Sequence, residues 1–283
     1  MRSADEERCE QFLRDRELSC VNACYRFLHR DSSRDLVWLL RERPGRAANS
    51  NASTPALLIH SHGILFPVMG GDRRDIPAPG FLDRFIRRVH IHAVQGLRED
   101  ARFMEALLRL RGAEPADIID YDLMKLGQGG FPAPESLRAG PVGLELRKAL
   151  VKDAEALFPL QAAYEREEVL PRGAGFSPEV CRLNLARLLA NQTVLAAWLD
   201  GRLVGKINTN ARAFSCTQIG GVYVLPEYRR QGIAARMTAA LAAELAAAGR
   251  TVTLFVKKRN QAARRVYLRT GFVAVGDYRI SYY

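Results

Sequence analysis

The apolar and polar positions of the last quarter of the chain alternate between two periods. Val222-Tyr223-Val224-Leu225 is an apolar run, Pro226 to Gln231 is polar and basic, and Gly232-Ile233-Ala234 opens a segment rich in Ala and Leu. Met237 to Ala248 is built from strong helix formers, with Leu241 and Leu245 four apart and Gly249 as a stop. Thr251 to Val256 is rich in β-branched and aromatic residues, the pattern of a buried strand. Together these predict a strand–turn–helix–strand unit. Upstream, the pattern predicts a strand at Leu144 to Arg147, helices at Ala154 to Glu168 and Pro178 to Ala190, and two strands within Val194 to Val204 joined at Asp200-Gly201.

The first half predicts strands at Leu36 to Leu40, Ala56 to His60 and Ile64 to Val68, and an amphipathic helix from Phe81 to Val89. A strand over His90 to Gly96 and a helix from Arg98 to Leu110, with Phe103, Leu107 and Leu110 on one face, follow. Arg46 to Pro55 reads as a polar loop, and Gln128 to Gly143 as the best linker in the chain. The expected organisation is an α/β protein with a mixed sheet: an N-terminal α/β domain over residues 1–130, a linker over 131–141 and a second domain over 142–283.

Charge separates the halves. Residues 1–140 hold 21 Lys/Arg against 20 Asp/Glu, whereas residues 141–283 hold 21 against 11, so nearly all of the +11 net charge lies in the second half. A field of that kind steers an anionic ligand, and nucleic acid is the competing partner. Lys257, Lys258, Arg259, Arg264 and Arg265 cluster near the basic turn, and zinc-finger and RNA-binding signatures are missing, which argues against nucleic acid. No stretch of about 20 apolar residues occurs. The start, Met1-Arg2-Ser3-Ala4-Asp5-Glu6-Glu7, is too charged for a signal peptide, so a soluble cytoplasmic protein is expected. The five cysteines are odd in number and lack paired metal-ligand spacing, which predicts reduced thiols; Cys20 and Cys24 suit one helix face.

The turn carries the clearest chemistry. A helix start leaves backbone N–H groups without partners and concentrates partial positive charge, so an anion docks there without a dedicated side chain. Gly232 and Ala234 keep the turn free of bulk, so that a pyrophosphate can reach the amides of residues 230 to 234, and Arg229 and Arg230 add charge at the rim. An ordinary helix start is the bland alternative. The spacing Arg229-x-x-Gly232-x-Ala234 resembles the (Gln/Arg)-x-x-Gly-x-(Gly/Ala) signature of the GNAT superfamily of acyl-CoA-dependent N-acyltransferases. Lys257 to Phe272 is similar to the family segment that carries an Asn, small residues, a Tyr and a closing Gly-Phe. The resemblance covers residues 142–283 and includes the element order β-α-α-β-β-β-α-β-α-β.

The resemblance implies a GNAT-like fold in the C-terminal half, with acetyl-CoA as acyl donor, an amine as acceptor and no metal. It assigns cofactor contacts to Val222, Tyr223, Val224, Arg229, Arg230, Gln231, Gly232, Ile233, Ala234, Asn260 and Arg264, and the role of general acid toward the departing thiolate to Tyr267. Without the family, Asn260 reads as a helix N-cap and Tyr267 as a half-buried aromatic. An alkylamine is about one part in a thousand deprotonated at neutral pH, so a base is needed, and N–H groups near Val222 to Val224 suit the oxyanion. The fourth strand, Cys216 to Val224, has no carboxylate. Glu168, ahead of Glu167, is the preferred base, with a solvated acidic helix face as the alternative. Tyr223 suits a proton relay or the wall of an acceptor pocket.

Asn208 and Asn210 alternate to share one strand face and suit substrate hydrogen bonding, and Gly220-Gly221 suits a bulge or a groove for the pantetheine arm. The strand–Gly–helix order of the first half predicts a degenerate acyltransferase-like module. There Gly96-Leu97-Arg98-Glu99-Asp100 places carboxylates where a phosphate needs amides, so no cofactor is expected. His60-x-His62 and His90-x-His92 read as strand neighbours rather than metal ligands. The leading function is N-acetyl transfer to a primary amine; a non-enzymatic acyl-CoA-binding protein is the alternative.

Overall fold

The computed structural model describes residues 4–40, 56–70, 86–127, 129, 132, 134–171 and 173–283. The loop expected at Arg46 to Pro55, the first five residues of the helix expected from Phe81, and Gln128, Gly130, Phe131 and Ala133 of the linker lie outside these. In chain order the elements are α1 (Ala4–Arg14), α2 (Val21–Leu28), β1 (Leu36–Leu40), β2 (Ala56–Ser61), β3 (Ile64–Met69), β4 (Ala93–Leu97), α3 (Arg98–Arg109) and β5 (Asp117–Leu126). There follow α4 (Pro134–Leu137), β6 (Glu145–Lys148), α5 (Ala154–Tyr164), α6 (Pro178–Asn191), β7 (Val194–Leu199), β8 (Arg202–Arg212) and β9 (Cys216–Val224). The last are α7 (Ile233–Ala247), β10 (Thr251–Lys257), α8 (Gln261–Arg269) and β11 (Phe272–Tyr282).

The chain divides into two compact units, Met1–Asp122 with Gly276–Tyr283, and Leu123–Val275. Strands β5 and β11 are therefore each split between the units. The sequence division instead assigned residues 123–130 to the first domain and 276–283 to the second.

In the first unit β1, β2 and β3 form an antiparallel meander, β3 runs parallel to β4 through Ile64–Ala93 and Leu65–Val94, and β4 pairs antiparallel with the end of β11. His62 and Gly63 both take positive φ, 51° and 77°, which suits the primed turn of a tight hairpin. Leu40, Leu58, Leu65, Val94, Ala101, Met104 and Leu108 build the core beneath α3. Cys20 is the N-cap of α2, one turn before Cys24, and the two Sγ atoms lie 3.6 Å apart on the same side. Cys9, Cys20, Cys24, Cys181 and Cys216 are buried, and none of them forms a disulfide.

In the second unit the strand order is β11-β5-β10-β9-β8-β7-β6, with β6 through β9 antiparallel and β9 parallel to β10. The β7–β8 turn at Asp200-Gly201 takes φ of 49° and 74°. Alternate residues of β7 go to opposite faces: Val194 and Ala196 meet α5 and α6, while Leu195, Ala197 and Leu199 join the core with Met237, Leu241 and Leu245 of α7. The helix expected from Ala154 to Glu168 is α-helical to Tyr164 and widens into a π turn over Glu165–Val169. Such turns shift side chains relative to the helix before them.

Candidate active site

The geometry centres on the turn between β9 and α7. The parallel ladder of β9 and β10 runs from Cys216–Thr251 to Ile219–Leu254 and ends there, while β9 continues to Val224 and β10 to Lys257. The two strands thus part beside Gly220 to Val224. A short 3₁₀ turn at Pro226–Tyr228 leads to Arg230 at φ 63° and Gly232 at φ 83°. Gly232 caps α7, no side chain caps the helix, and its first turn has no acidic residue. The first internal bond of the helix is Arg236 N–H to the Gly232 carbonyl, 3.0 Å.

Two conditions fix glycine at position 232. A left-handed φ disfavours any Cβ, and a Cβ there would lie 2.9 Å from the Gly140 nitrogen. The turn is thus braced from behind by the residues after α4. Arg230 and Gln231 are exposed at its rim, Val222, Ala234 and Arg264 are half-buried, and the side chains of Ile233 and Val224 enter the core. Arg229 is turned away from the turn: its Nε donates to the Val224 carbonyl at 3.0 Å, its Nη2 pairs with Glu167 at 2.8 Å, and its guanidinium lies 5.3 Å over the Tyr223 ring.

The π turn presents Glu165, Glu167 and Glu168 to different partners. Glu167 is held below the usual carboxylate range chiefly by its hydrogen bond from Arg229, while burial pushes the neighbouring Tyr223 hydroxyl up. Glu168 accepts from Asn260 Nδ2 at 3.1 Å through one oxygen and pairs with Lys257 at 3.1 Å through the other. Asn260 Oδ1 at the same time accepts from Ala263 N–H at 3.0 Å, so it caps α8 and positions Glu168 together. Tyr267 is buried and packs edge-on against Phe272, with ring centroids 6.2 Å apart. Burial first, then the nearby Tyr164 and Glu168, hold its proton well above the ordinary tyrosine range. Glu168, Asn260 and Tyr267 are thereby brought together, as are Tyr223, Arg229 and Glu167.

Sequence reasoning passed over Lys206. It lies on β8 directly opposite Tyr223, has no exposed surface, and is covered by Tyr164, whose ring centroid is 4.6 Å from Nζ. Nζ donates to Asn208 Oδ1 at 3.1 Å and to the Gly221 carbonyl at 3.0 Å. Burial pushes its pKa down to about 7. The signal available in the sequence was a lone lysine within the apolar run Leu203-Val204-Gly205-Lys206-Ile207 of β8.

Asn208 and Asn210 do share a face, joined by a 2.7 Å hydrogen bond. The ladder between β8 and β9 slips between Lys206–Tyr223 and Asn208–Gly220, so Gly220 stays paired and the expected bulge falls on Gly221 and Val222, opposite Ile207. A Cβ on Gly220 would lie 2.2 Å from Asn210 Nδ2, and one on Gly221 1.9 Å from Asn208 Oδ1. The space freed by these glycines is filled by the asparagines, which is a different use from the groove expected for the pantetheine arm.

In the first unit the corresponding helix start carries Glu99 and Asp100 in its first turn, and the buried Asp100 accepts from Met69 N–H at 3.3 Å. His60 and His62 do not share a strand face, because His62 sits in the β2–β3 turn; His60 Nε2 lies 3.0 Å from the His90 carbonyl oxygen. The His90 and His92 rings are 4.3 Å apart. Among the described residues no group of three or more His, Cys, Asp or Glu could hold a metal ion, and no helix is long and apolar enough to cross a membrane.

Residues 155–272 match the profile of the Acetyltransferase (GNAT) family, so the chain carries a domain of that family. No curated protein matches. Among solved structures, the chain is similar to a GCN5-related N-acetyltransferase from Sphaerobacter thermophilus, with 16% identity, 98% of this chain and 92% of that one covered, and a TM-score of 0.62. A Drosophila protein shows 16% identity over 99% of this chain and 88% of that one, with a TM-score of 0.60. A GCN5-related N-acetyltransferase-like protein from Streptococcus suis shows 13% identity over 97% and 98%, with a TM-score of 0.55. These likenesses establish the fold: a mixed-sheet α/β protein, GNAT-like, with an extended N-terminal part.

Proposed function

We propose that the segment 142–283 is an N-acetyltransferase that moves an acetyl group from acetyl-CoA to a primary amine by direct attack, and that residues 1–130 are a degenerate acyltransferase-like module without a cofactor of its own. The observation that carries this reading is the start of α7 at Gly232, which no side chain caps, set beside the parting of β9 and β10. A pyrophosphate fits the free amides of residues 230–234, and the backbone of Val222 to Val224 is reachable from the opening. The family match supports an acyl-CoA donor.

Within that frame Tyr267, kept protonated by burial, gives its proton to the departing thiolate. Glu168, held in place by its pairing with Lys257, takes the proton of the attacking amine through water. Lys257 and Asn260 keep both Glu168 oxygens occupied, and this favours a second reading, an acyl-CoA-binding protein without turnover.

One experiment separates the two. The full chain is incubated with acetyl-CoA and a panel of small amines, amino acids and peptides, and free CoA is followed. Amine-dependent CoA release supports the transferase; acetyl-CoA binding by calorimetry without release from any acceptor supports the binder.

A further inference from the structure

Lys206 is a buried amine that the proposed chemistry leaves without a task. Its hydrogen-bond acceptors are neutral, and among the described residues no carboxylate forms an ion pair with it. It touches the chain at a decisive place: Gly221 lies two residues beyond Ile219, where the β9–β10 ladder ends. Gly221 takes φ 61°, and the Asn208 side chain occupies the space of a missing Cβ, so Lys206, Asn208 and Gly221 form one built unit. A trans peptide is planar, with its C=O and the following N–H pointing in opposite directions. Holding the Gly221 oxygen therefore orients the Val222 N–H away from Lys206.

We propose that Lys206 is a positioning residue for acyl transfer: its amine fixes and polarises the Gly221–Val222 peptide, so that the Val222 N–H is aimed as the donor to the oxyanion. This rests on the transferase reading above. A charged donor on the carbonyl strengthens the hydrogen bond made by the N–H of the same peptide, so the ammonium form is the effective one.

The groups facing Nζ are Tyr164 and Glu165 from the first helix and its π turn, Cys181 from α6, and Tyr223 across the ladder. Burial lowers the pKa of Lys206 to about 7 against the opposing pull of Glu165 and Cys181. Burial also holds the Cys181 thiol up at about 11 and raises the Tyr223 hydroxyl, so neither titrates near neutrality. The effect of Lys206 is then greatest below pH 7 and fades above it, opposite in sign to a role as general base.

The test uses the full-length protein and Lys206→Met, with Lys206→Gln as a second variant that keeps a donor without charge. The probe is CoA release from acetyl-CoA, with the amine panel and with no amine added. The ratio of wild-type to Lys206→Met kcat should be about tenfold or more at pH 6 and fall toward one by pH 9, with KM for acetyl-CoA unchanged. A pH-independent ratio, or one that grows with pH, overturns the proposal. Independently of turnover, the Val222 amide resonance should titrate with a midpoint near 7 in the wild type and not in Lys206→Met. A Val222 signal that does not titrate overturns the proposal whatever the activity. A titrating Val222 in a protein that releases no CoA upholds the coupling and refutes the transferase reading alone.

Discussion

The chain builds the same connection twice and uses it differently. In each unit a strand that pairs in parallel leads into a helix of similar length, β4 directly into the 12-residue α3 and β9 through a turn into the 15-residue α7. At α7 the turn ends in a left-handed glycine, and the amides behind it meet no carboxylate of the first turn. At α3 the cap is Leu97 in extended geometry and the first turn brings in Glu99 and Asp100, with Asp100 buried against the Met69 amide. A strand–helix crossover is thus a scaffold. Whether it holds an anion is decided by two or three side chains at the helix start, because a carboxylate there both cancels the dipole and fills the space an anion would take.

The units also differ in how they treat a buried cation. Arg279 of the first unit is met by Asp120 at 2.8 Å and Glu105 at 3.2 Å, and Ser281 donates to Glu105. Lys206 of the second unit meets neutral acceptors instead. The first arrangement is what stable packing of a charge requires; the second retains a desolvation cost that is explained if the amine has work to do.

The largest effect expected from breaking this comparison is at Gly232. Gly232→Val places a branched Cβ at a left-handed φ against the Gly140 nitrogen, so acetyl-CoA affinity measured by calorimetry should fall by about 100-fold or more, from both the lost amide geometry and backbone strain. Asp100→Ala in the other unit should leave that affinity unaltered. A variant at 232 that binds normally would remove the α7 start from the site.

Next in size is Glu105→Ala. It leaves Arg279 buried with only Asp120, and stability to urea should drop by about 3 kcal/mol with no change in KM for acetyl-CoA. Smaller is Tyr267→Phe, which should lower kcat by about 10- to 100-fold while acetyl-CoA binding stays within twofold, because only the proton donor is lost. An unaltered kcat would assign Tyr267 to packing against Phe272.

The strand–turn–helix unit around Gly232 was legible in the sequence because it is local: the positive-φ glycine at the start of α7 and the Asn260 cap of α8 follow from spacing along the chain, and the strand and helix periods around them are strong. Even there Arg229 escaped, since its turn toward Glu167 depends on a partner 62 residues away. The glycine pair 220–221 signalled a bulge, yet what it accommodates, Asn208 and Asn210, follows from the register of two strands. Lys206 was invisible for the same reason, because a lysine within an apolar run becomes unusual only once the helix covering it is known. The split of β5 and β11 between units arises from pairing at long range, which no local period encodes.

The subtlest effect expected is on stability and is a matter of sign. Lys206 titrates near 7 when folded and near 10.5 as an ordinary lysine. Below pH 7 both states hold the proton, and the folded state carries the whole cost of burying the charge. Between 7 and 10.5 the unfolded chain binds more protons, so the cost shrinks as pH rises. Lys206→Met removes this cost and also leaves the Gly221 and Asn208 oxygens without their donor, a loss that does not vary with pH. The difference in Tm, variant minus wild type, should therefore be more positive at pH 6 than at pH 9. Arg279 supplies the contrast, because arginine stays charged throughout, and Arg279→Met should lower Tm by a similar amount at both values. If the Lys206→Met difference were equally flat, Lys206 would be charged across the range as Arg279 is, and the distinction between a paired structural cation and a titrating one would collapse.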